Sequence, residues 1–255
     1  GGANLPGVQV EISERVLRAS PQPDLATMHE GLLARAHAAR GAWDDALDAA
    51  ERYAMRVDGD PLEAYRYAAV GAWLGALAPD RAARLRPAAS RAVERAGTSA
   101  MSRAELAWLD GLLAFARAER RGLADARARL ASSAAATGDL LDASLAALER
   151  GLLGDRAGAA EALAELNRPD PDGIEPGYEA HPYVIAVSRL TAARWFRETG
   201  RPADAVAPLM WFDARWAYDG YRPARRVLAG PAALERARVA AMPGDDALRG
   251  IERTP

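Results

Sequence analysis

The stretch SRLTAARWFRETGRPADAVAPLMW, residues 188–211, decides the fold class. It predicts a helix, a tight corner at Gly200-Arg201-Pro202 and a second helix, because Gly ends helices in the left-handed conformation and Pro fits a first turn. The same pattern occurs in LLARAHAARGAWDDALDAAERY, residues 32–53. In both stretches the Gly is followed five residues later by an Ala, Ala46 or Ala205. The chain is therefore predicted to be a stack of helix pairs.

The composition favours an all-α protein. Half of the 255 residues are hydrophobic, and the excess lies in Ala and Leu, which are strong helix formers. Runs of β-branched residues long enough for a strand are absent, the nearest candidate being the short segment 8–12. This length suits one large domain or an array of small units.

The net charge is too small to produce a strong electrostatic field around the whole protein. The formal net charge is −2, which favours neither nucleic acid nor an acidic membrane surface. All 33 basic residues are Arg. Residues 81–130 hold 11 Arg and 5 acids and so form a basic belt. We interpret this belt as a solvated helical face, with a docking patch for an acidic partner as the alternative.

Several classes of site and location are disfavoured by what the sequence lacks. The absence of Cys excludes disulfides, thiolate zinc sites and a Cys nucleophile. No apolar run approaches the roughly 20 residues of a membrane span, and no signal peptide is visible. We expect a cytoplasmic protein. Because the sequence begins Gly1-Gly2-Ala3 rather than with Met, a removed export signal or a larger parent chain is the alternative.

Local signals divide the chain into three parts. Residues 1–20 form a lead-in with a short helix, residues 21–241 a helical repeat domain, and residues 242–255 a tail. The repeat domain contains a long loop, NRPDPDGIEPGYEAHP, at residues 167–182, and long loops are often functional or disordered.

Individual residues predict helix boundaries within these parts. Asp24 is expected to cap a helix, and Ser102 with Glu105 fits the capping box at a helix start. That helix is expected to end near Gly122. Pro87 predicts a kink or a new helix starting near Arg86, and the last helix is expected near residues 231–241.

The helix pairs resemble the tetratricopeptide repeat family, whose unit places a small residue in the first helix against an Ala in the second, with a Gly near the corner. In this chain Ala34, Gly41 and Ala46 match those places in the first unit, and Ala193, Gly200 and Ala205 match them in the last, together with Phe196 and Leu209. The middle units match loosely. The resemblance implies a right-handed α-solenoid of about five to six stacked antiparallel helix pairs.

The resemblance also implies a concave groove lined by the first helix of each pair. Carried over by position, Arg35 and Arg194 face that groove. Further groove candidates are Met28, Val187, Leu190, Arg197 and Glu198. The chaperone-binding members of the family grip a terminal carboxylate with Lys and Asn; this chain has no Lys and only two Asn, so that mode is rejected. Paired Arg could still bind a carboxylate or phosphate bidentately. A second candidate edge combines aromatic and basic residues: Trp216, Tyr218, Tyr221 and Arg222.

No catalytic or metal motif is present. The three histidines, His29, His37 and His181, lack metal-ligand spacing and are interpreted as structural or surface residues. The acidic segment 170–175 is a poor match to a calcium loop. We expect no catalytic residue, no metal and no cofactor.

The first functional hypothesis is a scaffold or adaptor that binds a partner protein or peptide through the groove, as the sensor or docking part of a larger regulator or complex. The second is an exported ligand-binding protein with an aromatic pocket for a glycan or peptide. An enzyme on a helical scaffold is the least favoured. The sequence leaves the oligomeric state open.

Overall fold

The computed structural model describes residues 5–19, 22–95, 100–133, 138–166, 180–213 and 222–242. Within these ranges every regular element is a helix, which confirms the all-α class. There are also two short 3-10 helices, Ala83–Leu85 between α5 and α6, and Pro202–Ala205 directly before α12. The α-helices are α1 (Leu5–Arg18), α2 (Pro23–Ala39), α3 (Trp43–Ala54), α4 (Pro61–Trp73), α5 (Pro79–Ala82), α6 (Arg86–Arg95), α7 (Ala100–Ala116), α8 (Arg120–Ser132), α9 (Gly138–Leu152), α10 (Arg156–Glu165), α11 (Ala180–Glu198), α12 (Val206–Met210) and α13 (Arg222–Ala240).

The chain divides into two compact units, Gly1–Leu145 and Ala146–Pro255. In the first unit, α2 packs against α1 and α3, α4 packs against α3, α6 and α7, and α7 packs against α8. In the second unit, α11 packs against α10, α12 and α13. The site described below lies within the second unit.

Five helices end in the same kind of corner. A residue with positive φ follows each of α2, α4, α7, α9 and α11. At the first corner the N–H of Ala42 donates to the carbonyl of His37 at 2.9 Å, and at the last the N–H of Arg201 donates to Phe196 at 2.8 Å. The middle corners have the same bond five residues back, so all five are Schellman motifs. The left-handed residues are Gly41, Gly75, Ala118, Gly154 and Gly200.

A small buried residue stands seven positions before each of these corners. It allows the first helix of the pair to approach its neighbours closely; at Gly111, for example, an added Cβ would clash with Leu145. Five positions after four of the corners the side chain is again buried: Ala46, Leu123, Ala159 and Ala205. The small residues before the corners are Ala34, Ala68, Gly111, Ala147 and Ala193.

Two predicted boundaries around α7 are wrong. Ser102 and Glu105 do not form a capping box at a helix start, because α7 already begins at Ala100 and the Glu105 carboxylate accepts a hydrogen bond from Arg66 at 2.6 Å. The helix ends at Ala116, and Gly122 lies inside α8. An added Cβ at Gly122 would lie 2.8 Å from Cβ of Ala114. Helix packing therefore explains this glycine better than helix termination.

Other boundaries differ in detail. Asp24 lies in the first turn of α2, and the N-cap position is Gln22. The lead-in helix is longer than expected, since α1 begins at Leu5. The last helix is continuous from Arg222 and contains Pro231 in its interior. The break expected at Pro87 is confirmed, because α6 begins at Arg86. The tail beyond residue 242 and residues 167–179 of the long loop lie outside the described residues.

Candidate functional site

Arg35, a predicted groove residue, is engaged within the first unit. Its Nη2 donates to Oε1 of Glu63 at 2.9 Å and its Nε donates to Oη of Tyr67 at 3.2 Å. Burial alone would lower the pKa of Arg35, but the interactions with Tyr67 and Glu63 outweigh it and raise that pKa above its ordinary value. Arg35 therefore ties α2 to α4, and its guanidinium is compensated by the chain itself.

Glu63 is the centre of that contact. It also accepts hydrogen bonds from Tyr67 at 2.8 Å and from Tyr53 at 3.3 Å. Burial opposes its ionisation, but the positive charges of Arg66 and Arg35 and the hydrogen bonds hold its pKa below the ordinary range. The carboxylate is thus kept ionised as part of the first unit's helix packing.

Two further buried carboxylates of the first unit have arginine partners. Glu30 is 2.9 Å from Arg52 and 3.5 Å from Arg56. Asp110 is 2.6 Å from Arg129 and also accepts hydrogen bonds from Arg86 and Tyr65. The arginines of these clusters are 40% to 52% exposed, so water also solvates their charges. We interpret these contacts as structural.

The basic belt is partly neutralised by neighbouring acids. Arg81 bonds both Asp44 and Asp48 of α3. Arg117 is 2.6 Å from Asp80, and Arg127 is 2.8 Å from Asp142. These ion pairs favour the interpretation of the belt as a solvated helical face.

The second unit brings three arginines around one buried carboxylate. Glu235 of α13 has a side chain only 2% exposed. Arg197 of α11 donates from Nε to Oε1 of Glu235 at 2.5 Å, and Arg238 donates from Nη1 to Oε2 at 3.4 Å. Arg194, one turn before Arg197, interacts electrostatically with Glu235 and Glu198. We call these five residues, Arg194, Arg197, Arg238, Glu198 and Glu235, the arginine cluster.

The pKa of Arg194 is shifted in the opposite direction to the pKa of Arg35. Each stands six residues before the left-handed Gly of its corner, Gly41 or Gly200. Burial lowers the pKa of Arg194, and the charges of Arg238 and Arg197 lower it further against the attraction of the two glutamates. The net shift of the pKa is therefore downward at Arg194 and upward at Arg35.

The cluster opens to solvent at one side. The side chain of Arg238 is 50% exposed and that of Arg197 is 21% exposed. One of the two acids also forms an ion pair with a residue outside the cluster: Glu198 is 3.0 Å from Arg156 of α10. Arg238 and Arg197 therefore form the side of the arginine cluster that solvent can reach.

The remaining predicted groove residues divide by burial. Met28 is 50% exposed and stays a predicted groove residue. Val187 and Leu190 are 0% and 1% exposed, so the prediction that they line an open groove is wrong, and they belong to the core. Apolar side chains at such positions gain more from burial than from solvent contact. The structure therefore brings the partly buried Arg194 and Arg197 together on α11 and places Val187 and Leu190 in the core.

Most of the predicted aromatic edge lies outside the described residues. Trp216, Tyr218 and Tyr221 lie outside the described residues, and Arg222 begins α13 with its side chain outside them. Trp211, a described aromatic residue that precedes this edge, has a structural contact. Arg225 lies 4.9 Å from the ring centroid of Trp211 and donates to its carbonyl at 2.6 Å.

Sequence reasoning missed Glu235 and Arg238. The available signal was the segment ERAR at residues 235–238, which places a Glu and an Arg three positions apart on one helix. Nothing in that spacing indicates that α13 packs against α11, since this contact is tertiary. The partner of Arg197 could not be identified without the fold.

The described residues add two observations about other classes of site. Among them, no three His, Asp or Glu side chains lie together in a group that could hold a metal ion. No helix in the described ranges is long and apolar enough to cross a membrane. His29 contacts Ser13 through Nδ1 at 3.0 Å, and His37 is 4.0 Å from Asp45; the side chain of His181 lies outside the described residues.

The chain matches no protein-family model, no curated protein and no solved structure. Function must therefore be inferred from its own residues.

Proposed function

We propose that the chain is a helical-repeat binding module, similar to tetratricopeptide repeats, that holds a partner protein or peptide and catalyses no reaction. The observation that carries this proposal is the recurrence of one corner geometry and one small-residue position in five helix pairs. Recurrent pairs that bury one face only by stacking on their neighbours are typical of a solenoid. The proposed arrangement is a right-handed solenoid of about five to six antiparallel pairs.

The proposed partner site is the arginine cluster. One of its members, Arg194, occupies a position that the family resemblance implies for the groove, and Arg197 is a further groove candidate. Partly buried arginine is a common anchor at protein interfaces because its guanidinium combines apolar faces with a fixed set of donors. The module is proposed to act as the docking or sensor part of a larger regulator.

A site-specific photo-cross-linker tests this function independently of the partner's chemistry. Leu234 is 54% exposed and precedes Glu235 on α13, whereas Val57, in the other unit, is 98% exposed. A benzophenone amino acid at position 234, irradiated in a lysate of the source organism, should give discrete protein adducts that position 57 does not give. Absence of adducts at position 234, or the same adducts at both positions, would contradict the proposed function.

A further inference from the structure

We propose that helix α1 forms a two-fold dimer contact with α1 of a second copy of this chain, the two helices running antiparallel. The contact surface is the outer stripe of α1, which consists of Leu5, Val8 and Ile12. This inference concerns the first unit and goes beyond the proposed function, whose site lies in the second unit.

The outer stripe is exposed although it is apolar. Leu5, Val8 and Ile12 are 57%, 48% and 50% exposed. Their spacing of three and four residues makes them neighbours on one face of the helix. Single exposed apolar residues are ordinary on a protein surface, whereas an uninterrupted apolar stripe is typical of a surface that contacts another molecule.

The opposite side of α1 already has a partner within the first unit. α1 packs mainly against α2, and its buried residues include Val10 and Ser13. The Ser13 hydroxyl lies 3.0 Å from Nδ1 of His29 on α2 and accepts a hydrogen bond from Gln9 at 2.9 Å. These contacts fix the rotation of α1 about its own axis, so the outer stripe is held toward solvent.

An antiparallel register centred on Ile12 brings apolar side chains of the two helices together. A two-fold axis at this point places Ile12 against its own counterpart, and two-fold contacts of this kind are the commonest in homodimers. In the same register Val8 of one copy meets Val16 of the other, and Leu5 meets Ala19. Each layer of the contact is therefore apolar.

The charges beside the stripe favour the same register. Glu11 and Arg15 are both exposed. With the axis at Ile12, Glu11 of one copy and Arg15 of the other lie on the same side of the contact, about 3 Å apart along the helix axis. The two-fold symmetry forms this opposite-charge pair twice. A parallel pair of helices would instead place each of these charges beside its own counterpart, which destabilises the contact.

A lipid surface is a poorer match to this face than a second copy. Helices that lie on membranes carry a polar face rich in Lys and Arg. The polar residues of α1 include two acids, Glu11 and Glu14, and two bases, Arg15 and Arg18, so the helix has no net charge to attract it to anionic lipid. The charge pattern of α1 complements itself, which is the property that a two-fold contact requires.

Single cysteines test the geometry, since the chain has none of its own. In Ile12→Cys the two sulfurs face each other across the two-fold axis, and oxidised glutathione should give a disulfide-linked dimer. Leu5→Cys is the matched control. Leu5 is as exposed as Ile12 but lies about 21 Å from its counterpart along the axis of the antiparallel pair. It should therefore give on the order of tenfold less linked dimer.

Sedimentation velocity over a concentration series measures the contact without a cross-link. Wild type should show a weak equilibrium between monomer and dimer, as expected for a small interface. Ile12→Glu places two carboxylates at the axis and should abolish the dimer. Glu11→Arg should weaken dimerisation by about threefold or more, and adding Arg15→Glu should restore it. Circular dichroism checks folding; if Ile12→Glu fails to fold, the exposed Glu11→Arg decides the test.

Three results would overturn the dimer contact: a wild-type monomer at the highest soluble concentration, equal disulfide linkage in Leu5→Cys and Ile12→Cys, or undiminished dimerisation of Glu11→Arg. Flotation of the wild type with phosphatidylcholine vesicles, without a dimer in solution, would also overturn it and assign the stripe to a lipid surface. Photo-adducts at position 234 test the proposed function separately and bear on neither outcome.

Discussion

At the scale of single residues, the pair Arg66–Glu105 is the most deeply buried ion pair described, with side chains 4% and 8% exposed. Glu105→Leu should lower the free energy of unfolding by about 3 to 5 kcal/mol, because it leaves a buried guanidinium without this carboxylate. The double variant Arg66→Met with Glu105→Leu should recover most of the loss. Urea unfolding of the single and double variants measures the coupling, and a single-variant loss below about 1 kcal/mol would show that the pair contributes little.

Ala118 carries backbone strain that glycine would relieve. It has φ +56°, while the equivalent corner residue Gly41 has φ +76°. The left-handed conformation costs a residue with a Cβ about 1 to 2 kcal/mol, and glycine costs up to about 1 kcal/mol more to order. Ala118→Gly should therefore raise the free energy of unfolding by up to about 1 kcal/mol.

Gly41→Ala is the reverse control for the Ala118 prediction. A Cβ at Gly41 would meet no atom within 4 Å, so its effect isolates the backbone conformation. It should lower the free energy of unfolding by about 1 kcal/mol. Thermal unfolding followed by circular dichroism measures both variants, and changes of the same sign in the two would refute this account of the corners.

At the scale of helices, the interior glycine Gly122 should not tolerate replacement by Ala. Helix propensity favours Ala over Gly by about 1 kcal/mol. At Gly122, however, the Cβ would lie 2.8 Å from that of Ala114, and overpacking costs about 1 to 3 kcal/mol. Gly122→Ala should therefore lower the free energy of unfolding, and a gain in chemical-denaturation midpoint would contradict this.

The sequence predicts those elements whose cause is local. Gly41 and Gly200 mark their corners because glycine alone adopts positive φ without cost, and Pro87 marks the break before α6 because proline disfavours helix in the residues before it. Ala118 gives no local signal, since alanine is the best helix former. The capping box predicted at Ser102 and Glu105 is wrong because the Glu105 carboxylate accepts a hydrogen bond from Arg66 of another helix. Tertiary contacts thus decided the elements that the sequence alone did not identify.

The same distinction applies to the candidate site. Arg194 and Arg197 could be identified from their spacing to Gly200. Their apolar neighbour Leu190 was assigned to the surface, because a repeat pattern locates a helix face without showing what covers it. Glu235 could not be assigned, since its role depends on α13 packing against α11.

At the scale of the whole molecule, stability should fall in acid in two stages. Burial lowers the pKa of His37 below its ordinary value, so protons bind the unfolded chain first and stability falls as the pH drops below about 6.5. The depressed pKa of Glu63 adds a second loss below about 4.3, as protonation begins in the unfolded chain. His37→Gln should abolish the first stage only. Unfolding free energies measured from pH 7 to 3 test this, and an unchanged profile for His37→Gln would assign the first stage to other groups.

Tyr53 should produce a loss of stability at the alkaline end. Burial, and then the negative charge of Glu63, raise the pKa of Tyr53 to about 12, whereas a free tyrosine ionises near pH 10. Above about pH 10 the unfolded chain loses this proton while the folded chain retains it, so stability falls until the pH passes the folded pKa. Tyr53→Phe removes this contribution and should reduce the fall between pH 10 and 12 by about 1 to 2 kcal/mol. Urea unfolding at both pH values gives that difference, and equal falls for wild type and Tyr53→Phe would show that burial of Tyr53 does not control the alkaline stability.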